Sequence, residues 1–178
     1  MSSNPKDWLG IQFSGGRYRI TARLGEGGMG FVYRADDTNL QAPVVIKVPR
    51  RAMLDEPRFA QRFQREIKSL VALSHPHIVK ILDVGEHEGI PFAAMQYLDG
   101  GDLQARRRTA SDGQNCAESP AMLQGWLRDV ASALDFVHRQ GYVHRDMKPE
   151  NVLFDGEGHA YLGDFGVAKV LHDTESAG

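Results

Sequence analysis

A glycine-rich stretch between two strand-like segments limits the folds open to this chain more than any other part of the sequence. The stretch is LGEGGMGFVY, residues 24–33. YRITARL before it and FVYRA at its end alternate side chains at period two, which is typical of half-buried strands. A turn-rich segment and the β-branched run VVIKV follow. The pattern predicts three antiparallel strands, with the glycines in the turn between the first two.

The glycines follow the pattern G-x-G-x-x-G-x-V at Gly25, Gly27 and Gly30. Glycine adopts positive φ and lets backbone N–H groups approach phosphate oxygens, because no Cβ is in the way. A dinucleotide-binding fold would place a helix directly after the third glycine, and a P-loop would end in G-K-[ST]; this chain has neither. The context favours a phosphate-covering flap between two strands, with an ordinary glycine-rich hairpin turn as the alternative.

Two apolar stripes at spacings of three and four predict the main helices. One lies in RFAQRFQREIKSLVAL, residues 58–73, and the other runs from Met122 to Val137. Two further strands are predicted between the helices, in HIVKILDVGE and IPFAAMQYL. After the second helix, NVLF and AYLGDF flank the turn DGEG and predict a hairpin.

These elements predict an α+β chain of two lobes. Residues 1–16 are expected to form a flexible leader, in which Trp8, Leu9, Ile11 and Phe13 are able to pack onto a neighbouring element. Residues 17–98 are expected to form a lobe with a five-stranded antiparallel sheet and one helix. Residues 99–178 are expected to form part of a second, mainly helical lobe.

Composition narrows the classes of function. The 21 Lys and Arg against 23 Asp and Glu give a net charge of -2, so no basic field favours nucleic acid as the main partner, and we expect none. The one cysteine, Cys116, excludes an intramolecular disulfide and fits a reducing compartment, so we expect a cytoplasmic location. No apolar run in the sequence is long enough for a membrane-spanning helix. The expected cytoplasmic location is compatible with a membrane anchor beyond residue 178.

Lys47 and Glu66 are candidate partners. Lys47 follows VVI on the third predicted strand, and Glu66 lies near the edge of the apolar stripe of the first helix. A carboxylate there could pair with a lysine whose ammonium holds nucleotide phosphates. The alternative for Lys47 is a solvated strand residue.

The segment VHRDMKPEN, residues 143–151, concentrates most of the candidate chemistry. Asp146 is placed to accept or orient the proton of an attacking hydroxyl, and Lys148 to neutralise a transferring phosphoryl group. Asn151 supplies an oxygen, and the predicted hairpin would return the carboxylate of Asp164 beside it. Oxygen ligands of this kind suit Mg²⁺. Each polar residue alone is compatible with turn chemistry, but the ordered set predicts phosphoryl transfer.

Together these motifs resemble those of the eukaryotic-type protein kinases, and LGEGGMGFVY with HRDMKPEN is especially similar to bacterial Ser/Thr kinases. The resemblance runs from about Tyr18 to Gly178. It implies a kinase fold, ATP and Mg²⁺ as cofactors, and protein substrates bearing Ser or Thr. Asp146 would be the base and Lys148 the phosphoryl stabiliser, with Lys47 held by Glu66 on the phosphates and Asn151 and Asp164 as metal ligands.

The resemblance also implies a set of nucleotide-binding positions and an internal stack of side chains. The nucleotide would contact Leu24, Gly25, Glu26, Gly27, Gly28, Met29, Gly30, Val32, Val45, Lys47, Met95 as gatekeeper, the backbone of Gln96 and Leu98, Asp102 and Leu153. The stack would consist of Leu70, Ile81, His144 and Phe165.

Three departures from the family pattern are visible. Val45 replaces the usual alanine on the adenine side, and Gln96 replaces a common glutamate. No A-P-E motif follows, so the chain is expected to be cut within the activation segment. The apolar stripe of the second helix would then lose part of its cover, and the exposed apolar surface would favour self-association. The rival interpretations are a non-catalytic nucleotide-binding or regulatory module and a small-molecule kinase of the same fold.

Overall fold

The computed structural model describes residues 5–27, 30–55, 73–110 and 120–163, together with residues 59, 63, 67 and 71, and it leaves out the side chains of 108–110 and 120–122. The described residues form two compact units. The first contains residues up to 71 and residues 80–97, and the second contains residues 73–79 and 98–163.

The first unit is built on a six-stranded antiparallel sheet in the order β1-β2-β3-β4-β6-β5. Its strands are β1 (Gln12–Phe13), β2 (Tyr18–Gly27), β3 (Gly30–Asp37), β4 (Ala42–Pro49), β5 (Ile81–His87) and β6 (Ile90–Gln96). The predicted number of five strands is one too low, because Gln12–Phe13 pairs with the start of β2. The unit also contains a 3₁₀ turn at Pro5–Asp7 and the short helix α1 (Arg51–Leu54).

Residues 5–16, from the predicted leader, pack onto the sheet through two of the apolar side chains that were expected to pack onto a neighbour, those of Trp8 and Phe13. Trp8 is 1% exposed and Phe13 is 3% exposed. Their rings lie 5.4 Å apart, and Phe13 packs edge-on against Phe92 of β6 at 4.9 Å between ring centroids. The Tyr33 hydroxyl donates to the carbonyl oxygen of Pro5 at 2.6 Å. The apolar face of the sheet supplies the burial that orders residues 5–16.

Period-two alternation gives the sheet two different faces. On β3 and β4 the buried side chains of one face belong to Phe31, Tyr33, Ala35, Val44, Ile46 and Val48. The residues between them, including Val32, Val45 and Lys47, are only half-buried and lie on the other face. The apolar face therefore forms the core, and the second face carries the candidate site.

The predicted first helix is described at four positions. Residues 59, 63, 67 and 71 are helical. Phe59, Phe63 and Ile67 are buried, as expected for a stripe that repeats every four residues, whereas Val71 is exposed.

The second unit contains the predicted long helix and hairpin. Its elements are α2 (Leu103–Ala110), α3 (Pro120–Arg139), a 3₁₀ turn at Pro149–Asn151, β7 (Val152–Phe154) and β8 (Ala160–Leu162). The strands β7 and β8 pair antiparallel, and α3 packs against β8. Val130 and Val137 of the predicted apolar stripe are buried, together with Ala133, whereas Leu127 of the same stripe is 51% exposed.

Residues 73–79 belong to this unit rather than to the sheet of the first. Ile78 forms a parallel bridge with Leu162 of β8. The N–H of Leu162 donates to the carbonyl of His77 at 2.8 Å, and that of Val79 donates to the carbonyl of Leu162 at 3.0 Å. Within the part of the chain that the structure describes, no helix combines the length and apolar character needed to cross a membrane.

Candidate functional site

In the first unit, the register of the sheet brings the implied nucleotide-contacting side chains onto one face. Lys47 of β4 lies opposite Val32 of β3 and Ala93 of β6. Val45 lies opposite Met95 of β6. Side chains of directly opposed residues project to the same face of a sheet. Lys47 is therefore bordered by an apolar surface of the kind that an adenine ring requires.

The glycine-rich turn joins β2 to β3, the strand that carries Val32. Gly27 pairs with Gly30, and Gly25 pairs with Val32. Leu24 is 48% exposed. Gly28 and Met29, at the tip of the turn, lie outside the described residues.

The three glycines of the motif differ in why they must be glycine. Gly30 has φ +151°, and a Cβ there would meet the backbone of Val48 and lie 2.8 Å from the Cα of Pro49. A Cβ on Gly25 or Gly27 would meet nothing within 4 Å. The fold itself therefore requires glycine at position 30. At positions 25 and 27 the open space suits a ligand that approaches the backbone closely.

The resemblance implies two further contacts in the first unit, one between Glu66 and Lys47 and one between the backbone of Gln96 and the base. Glu66 lies outside the described residues, so its pairing with Lys47 stays a prediction. The backbone N–H of Gln96 donates to the carbonyl of Lys80 at 2.9 Å, and Gln96 lies opposite Val44. Its side chain is thus on the sheet face opposite to Met95, so any contact with a base on the site face would use the backbone.

In the second unit, the loop before β7 brings Asp146, Lys148 and Asn151 together. The Asp146 carboxylate oxygen Oδ2 accepts a hydrogen bond from Asn151 Nδ2 at 3.1 Å and lies 3.3 Å from Lys148 Nζ. Asn151 Nδ2 also donates to the backbone carbonyl of Asp146 at 2.7 Å. Two of the side chains that the sequence singles out, those of Lys148 and Asn151, therefore meet at the carboxylate of the third, Asp146.

Asn151 is buried, and its amide is oriented by these bonds. Both bonds given by Nδ2 go to Asp146, so the amide oxygen Oδ1 points away from Asp146. An amide oxygen held in this way is a suitable ligand for Mg²⁺. The backbone carbonyl of Asn151 accepts the N–H of Gly163 at 2.8 Å. Asp164, the other implied ligand, lies outside the described residues.

His144 connects this loop to the end of β8. Its Nε2 lies 2.7 Å from the carbonyl oxygen of Gly163, and its backbone carbonyl accepts the N–H of Asp146 at 2.9 Å. Because a carbonyl only accepts, Nε2 carries the proton. The next residue, Arg145, has φ +60°, a left-handed conformation that is uncommon outside glycine. Sequence reasoning had placed His144 only in the internal stack and missed this positioning role, since Gly163 gives no signal of its own.

The hairpin that holds Asn151 and Gly163 is fixed at its turn by Asp155. Its Oδ1 accepts the N–H groups of Glu157 and His159, at 3.0 and 2.9 Å, and its Oδ2 accepts the Tyr161 hydroxyl at 3.0 Å. Burial on its own would raise the pKa of Asp155, but the bonds from His159 and Tyr161 hold it below its ordinary value. The carboxylate therefore stabilises the turn in its ionised form.

Asp102 and Leu153 form a bridge between the start of α2 and β7. Asp102 Oδ1 accepts the N–H of Ala105 at 2.6 Å, so the side chain caps α2. The structure brings these two implied nucleotide contacts together and gives Asp102 a structural role as well. Leu98, also in this unit, is half-buried. In the internal stack, Leu70 and Phe165 lie outside the described residues, so the stack stays a prediction.

A comparison with known protein families finds that residues 18–177 match the model of the protein kinase domain. The chain is 40% identical over 160 residues to a probable serine/threonine-protein kinase, pknA2, of Bifidobacterium longum, covering 86% of this chain and 20% of that protein. It is 38% identical over 166 residues to serine/threonine-protein kinase PknE of Mycobacterium tuberculosis, covering 93% of this chain and 28% of that protein.

Among solved structures, the crystal structure of the Mycobacterium tuberculosis PknI kinase domain is similar to this chain. The TM-score is 0.72 at 33% sequence identity, and the match covers 89% of this chain and 61% of that one. The chain spans 20% and 28% of the lengths of the two sequence relatives above.

Proposed function

The chain belongs to the protein kinase family, and from this premise we propose that it transfers the γ-phosphoryl group of ATP to Ser or Thr hydroxyls of proteins. The observation that carries the proposal is the convergence of Lys148 and Asn151 on the carboxylate of Asp146. A base, a cation for the transferring group and a metal-ligand oxygen are the parts that phosphoryl transfer needs in one place. The Ser/Thr kinase relatives support hydroxyls of these two residues as acceptors.

ATP would bind on the sheet face of Lys47. The apolar side chains of Leu24, Val32, Val45 and Met95 would enclose the adenine, and Lys47 would contact the phosphates under the glycine-rich turn. The extra methyl groups of Val45 would narrow the adenine side, since the family usually has alanine there. This role for the face is supported by the register that places Val45 and Lys47 together.

Mg²⁺ would be held by Asn151 Oδ1 and by Asp164. The first ligand is supported by the orientation of the Asn151 amide, and the second by the hydrogen bond between Gly163, its neighbour in the chain, and the Asn151 carbonyl. When bound, the ion neutralises charge on the phosphates.

Asp146 would accept or orient the proton of the attacking hydroxyl. The bond from Asn151 and the nearby ammonium of Lys148 fix the direction of its carboxylate, so little reorganisation is needed when a hydroxyl arrives. Lys148 would neutralise charge on the transferring group. His144 acts indirectly by holding the loop to Gly163.

The partners we propose are proteins with accessible Ser or Thr residues, in the cytoplasm, where ATP is available. Self-association is supported by the exposure of apolar side chains in the second unit, where Leu127 is 51%, Val143 60% and Met147 47% exposed.

The test is transfer of radiolabelled γ-phosphate from ATP to the chain itself and to a generic basic protein, in the presence of Mg²⁺. We expect label on Ser and Thr, and its loss in an Asp146→Asn variant that still binds ATP. Binding of ATP without transfer in the wild-type chain would favour a non-catalytic nucleotide-binding module. Transfer to a metabolite but to no protein would favour a small-molecule kinase.

A further inference from the structure

Two arginines and a glutamate enclose the base of the glycine-rich turn. Glu26, the last residue but one of β2, accepts a hydrogen bond from Arg23 through Oε2, and its Oε1 lies 2.9 Å from Arg50 Nη2. Arg50 Nε donates to the backbone carbonyl of Gly27 at 3.0 Å. We call Arg23, Glu26, Arg50 and the ring beneath them, Phe31, the arginine clasp.

The clasp is anchored on the core of the first unit through Phe31. The guanidinium carbons of Arg23 and Arg50 lie 5.0 and 5.6 Å from the centroid of this ring. The ring is 5% exposed and belongs to the apolar core, and Phe31 is also the residue opposite Glu26 in the register of β2 and β3. Both cations therefore rest on a fixed aromatic face, which is a favourable arrangement for a cation.

Arg50 also connects two strands that are not neighbours. It follows Pro49, the last residue of β4, and its partners Glu26 and Gly27 lie at the end of β2. Strand β3 lies between these strands in the sheet. The side chain therefore reaches across β3 and ties the turn to the strand that carries Lys47.

From these contacts we propose that the arginine clasp holds the described flanks of the glycine-rich turn, residues 25–27 and 30–31, in their phosphate-binding position before ATP arrives. Arg23, Glu26 and Arg50 are then positioning residues rather than phosphate ligands, although the resemblance to kinases had implied Glu26 as a nucleotide contact. A segment that is already held in its binding conformation loses less conformational entropy when a ligand binds, so the affinity for the ligand is higher. The proposal rests on the proposed function, since it assigns ATP phosphates to the turn.

The variant Glu26→Ala distinguishes a positioning role of Glu26 from a direct effect of its negative charge on ATP binding. Coulomb's law on its own predicts that removal of a negative charge from the strand that leads into the turn strengthens the binding of an anion such as ATP. The clasp predicts the opposite, because Glu26→Ala releases Arg23 and removes one partner of Arg50. From the usual size of partly exposed ion pairs we expect about three- to tenfold weaker MgATP binding. Adenosine, which has no phosphates, should bind with unchanged affinity.

Asp36→Ala is the matched control. It removes a carboxylate from the other end of the same two strands, where Asp36 pairs with Arg19 at 2.9 Å. Calorimetric titrations of wild type and both variants with MgATP and with adenosine should show weaker ATP binding only for Glu26→Ala. Equal or tighter ATP binding by Glu26→Ala, or a loss equal to that of Asp36→Ala, would overturn the proposal.

Hydrogen exchange without nucleotide tests the clasp independently of ATP. The amides of residues 25–27, 30 and 31 should exchange about three- to tenfold faster in Glu26→Ala than in Asp36→Ala, because the ion pairs that Glu26→Ala removes are the same ones that set the expected loss of ATP affinity. Equal exchange would refute the clasp even if ATP binds as proposed. Faster exchange together with no ATP binding by wild type would refute the proposed function but would still support the clasp as the set of contacts that holds the flanks of the turn.

Discussion

The contrast between Gly30 and Gly27 gives a prediction that separates folding from ligand binding within one motif. Gly30 has φ +151°, and a new Cβ would be only 2.9 Å from the carbonyl carbon of Val48 and 2.8 Å from the Cα of Pro49. Both neighbours are backbone atoms of the adjacent strand β4, so they are not free to move aside. Gly27 meets nothing within 4 Å and is not at positive φ.

The expected magnitudes follow from these contacts. Alanine at position 30 would incur backbone strain of about 1–3 kcal/mol and overpacking of about 1–3 kcal/mol. Gly30→Ala should therefore lower the free energy of unfolding of the first unit by about 2–6 kcal/mol. Gly27→Ala should change it by less than about 1 kcal/mol, because alanine reduces the freedom of the unfolded chain without a clash. It should instead weaken MgATP binding, since its Cβ occupies the space that phosphates would approach.

The assay is denaturant unfolding followed by the fluorescence of Trp8 in a Trp126→Phe background. Trp8 is buried in the first unit, and Trp126 lies in the second, so the remaining signal reports on the sheet. Calorimetric titrations with MgATP and with adenosine measure the affinities of the same variants for these ligands. If Gly30→Ala were within 0.5 kcal/mol of wild type, or if Gly27→Ala were equally destabilising, the assignment of separate roles to these glycines would be refuted.

Three further predictions concern charge and metal binding. Asp37 is buried, and although burial alone would raise its pKa, bonds from Arg17 and from backbone N–H groups hold the pKa below its ordinary value. Its stabilising effect is thus present above the pKa of the unfolded carboxyl and is lost as pH falls through the folded one. Asp37→Asn should lower the free energy of unfolding by about 3 kcal/mol at pH 7. Between pH 7 and 3.5 the variant should lose less of its free energy of unfolding than wild type does, and an equal loss in the two proteins would contradict this role of Asp37. Lys47→Met should weaken ATP binding by about ten- to a hundredfold and leave adenosine binding nearly intact, and equal losses in calorimetry would indicate misfolding instead. Asn151→Ala should reduce the gain in ATP affinity that Mg²⁺ gives by at least about tenfold. If Mg²⁺ increases ATP affinity by the same factor in the variant as in wild type, Asn151 is not a ligand.

Regular periodicity made much of the fold predictable. The apolar stripe of α3 and the two runs of the β7–β8 hairpin are long or repetitive enough to be recognised, and the structure confirms both. The strand Gln12–Phe13 was missed because two residues carry no period. The helix α2 was also not predicted. Its sequence LQARRRTA is largely polar, and its start depends on the cap from Asp102.

The grouping of the candidate site residues was predictable where a motif places them close together in the chain or on the same strand. Asp146, Lys148 and Asn151 lie within one loop, and Lys47 shares a face with Val45 by simple alternation. The clasp was not predictable, because Arg50 reaches its partners across an intervening strand. The bond from His144 to Gly163 is also invisible in the sequence, since it joins positions separated by the whole hairpin.

The most direct test of the account is calorimetric titration of the 178-residue chain with ATP, first with Mg²⁺ and then with EDTA. The account predicts saturable binding of one nucleotide with Mg²⁺ and at least tenfold weaker binding without it, because Asn151 and Asp164 would hold the ion against the phosphates. No binding, or binding that is indifferent to Mg²⁺, would contradict the assignment of a kinase nucleotide and metal site to this chain.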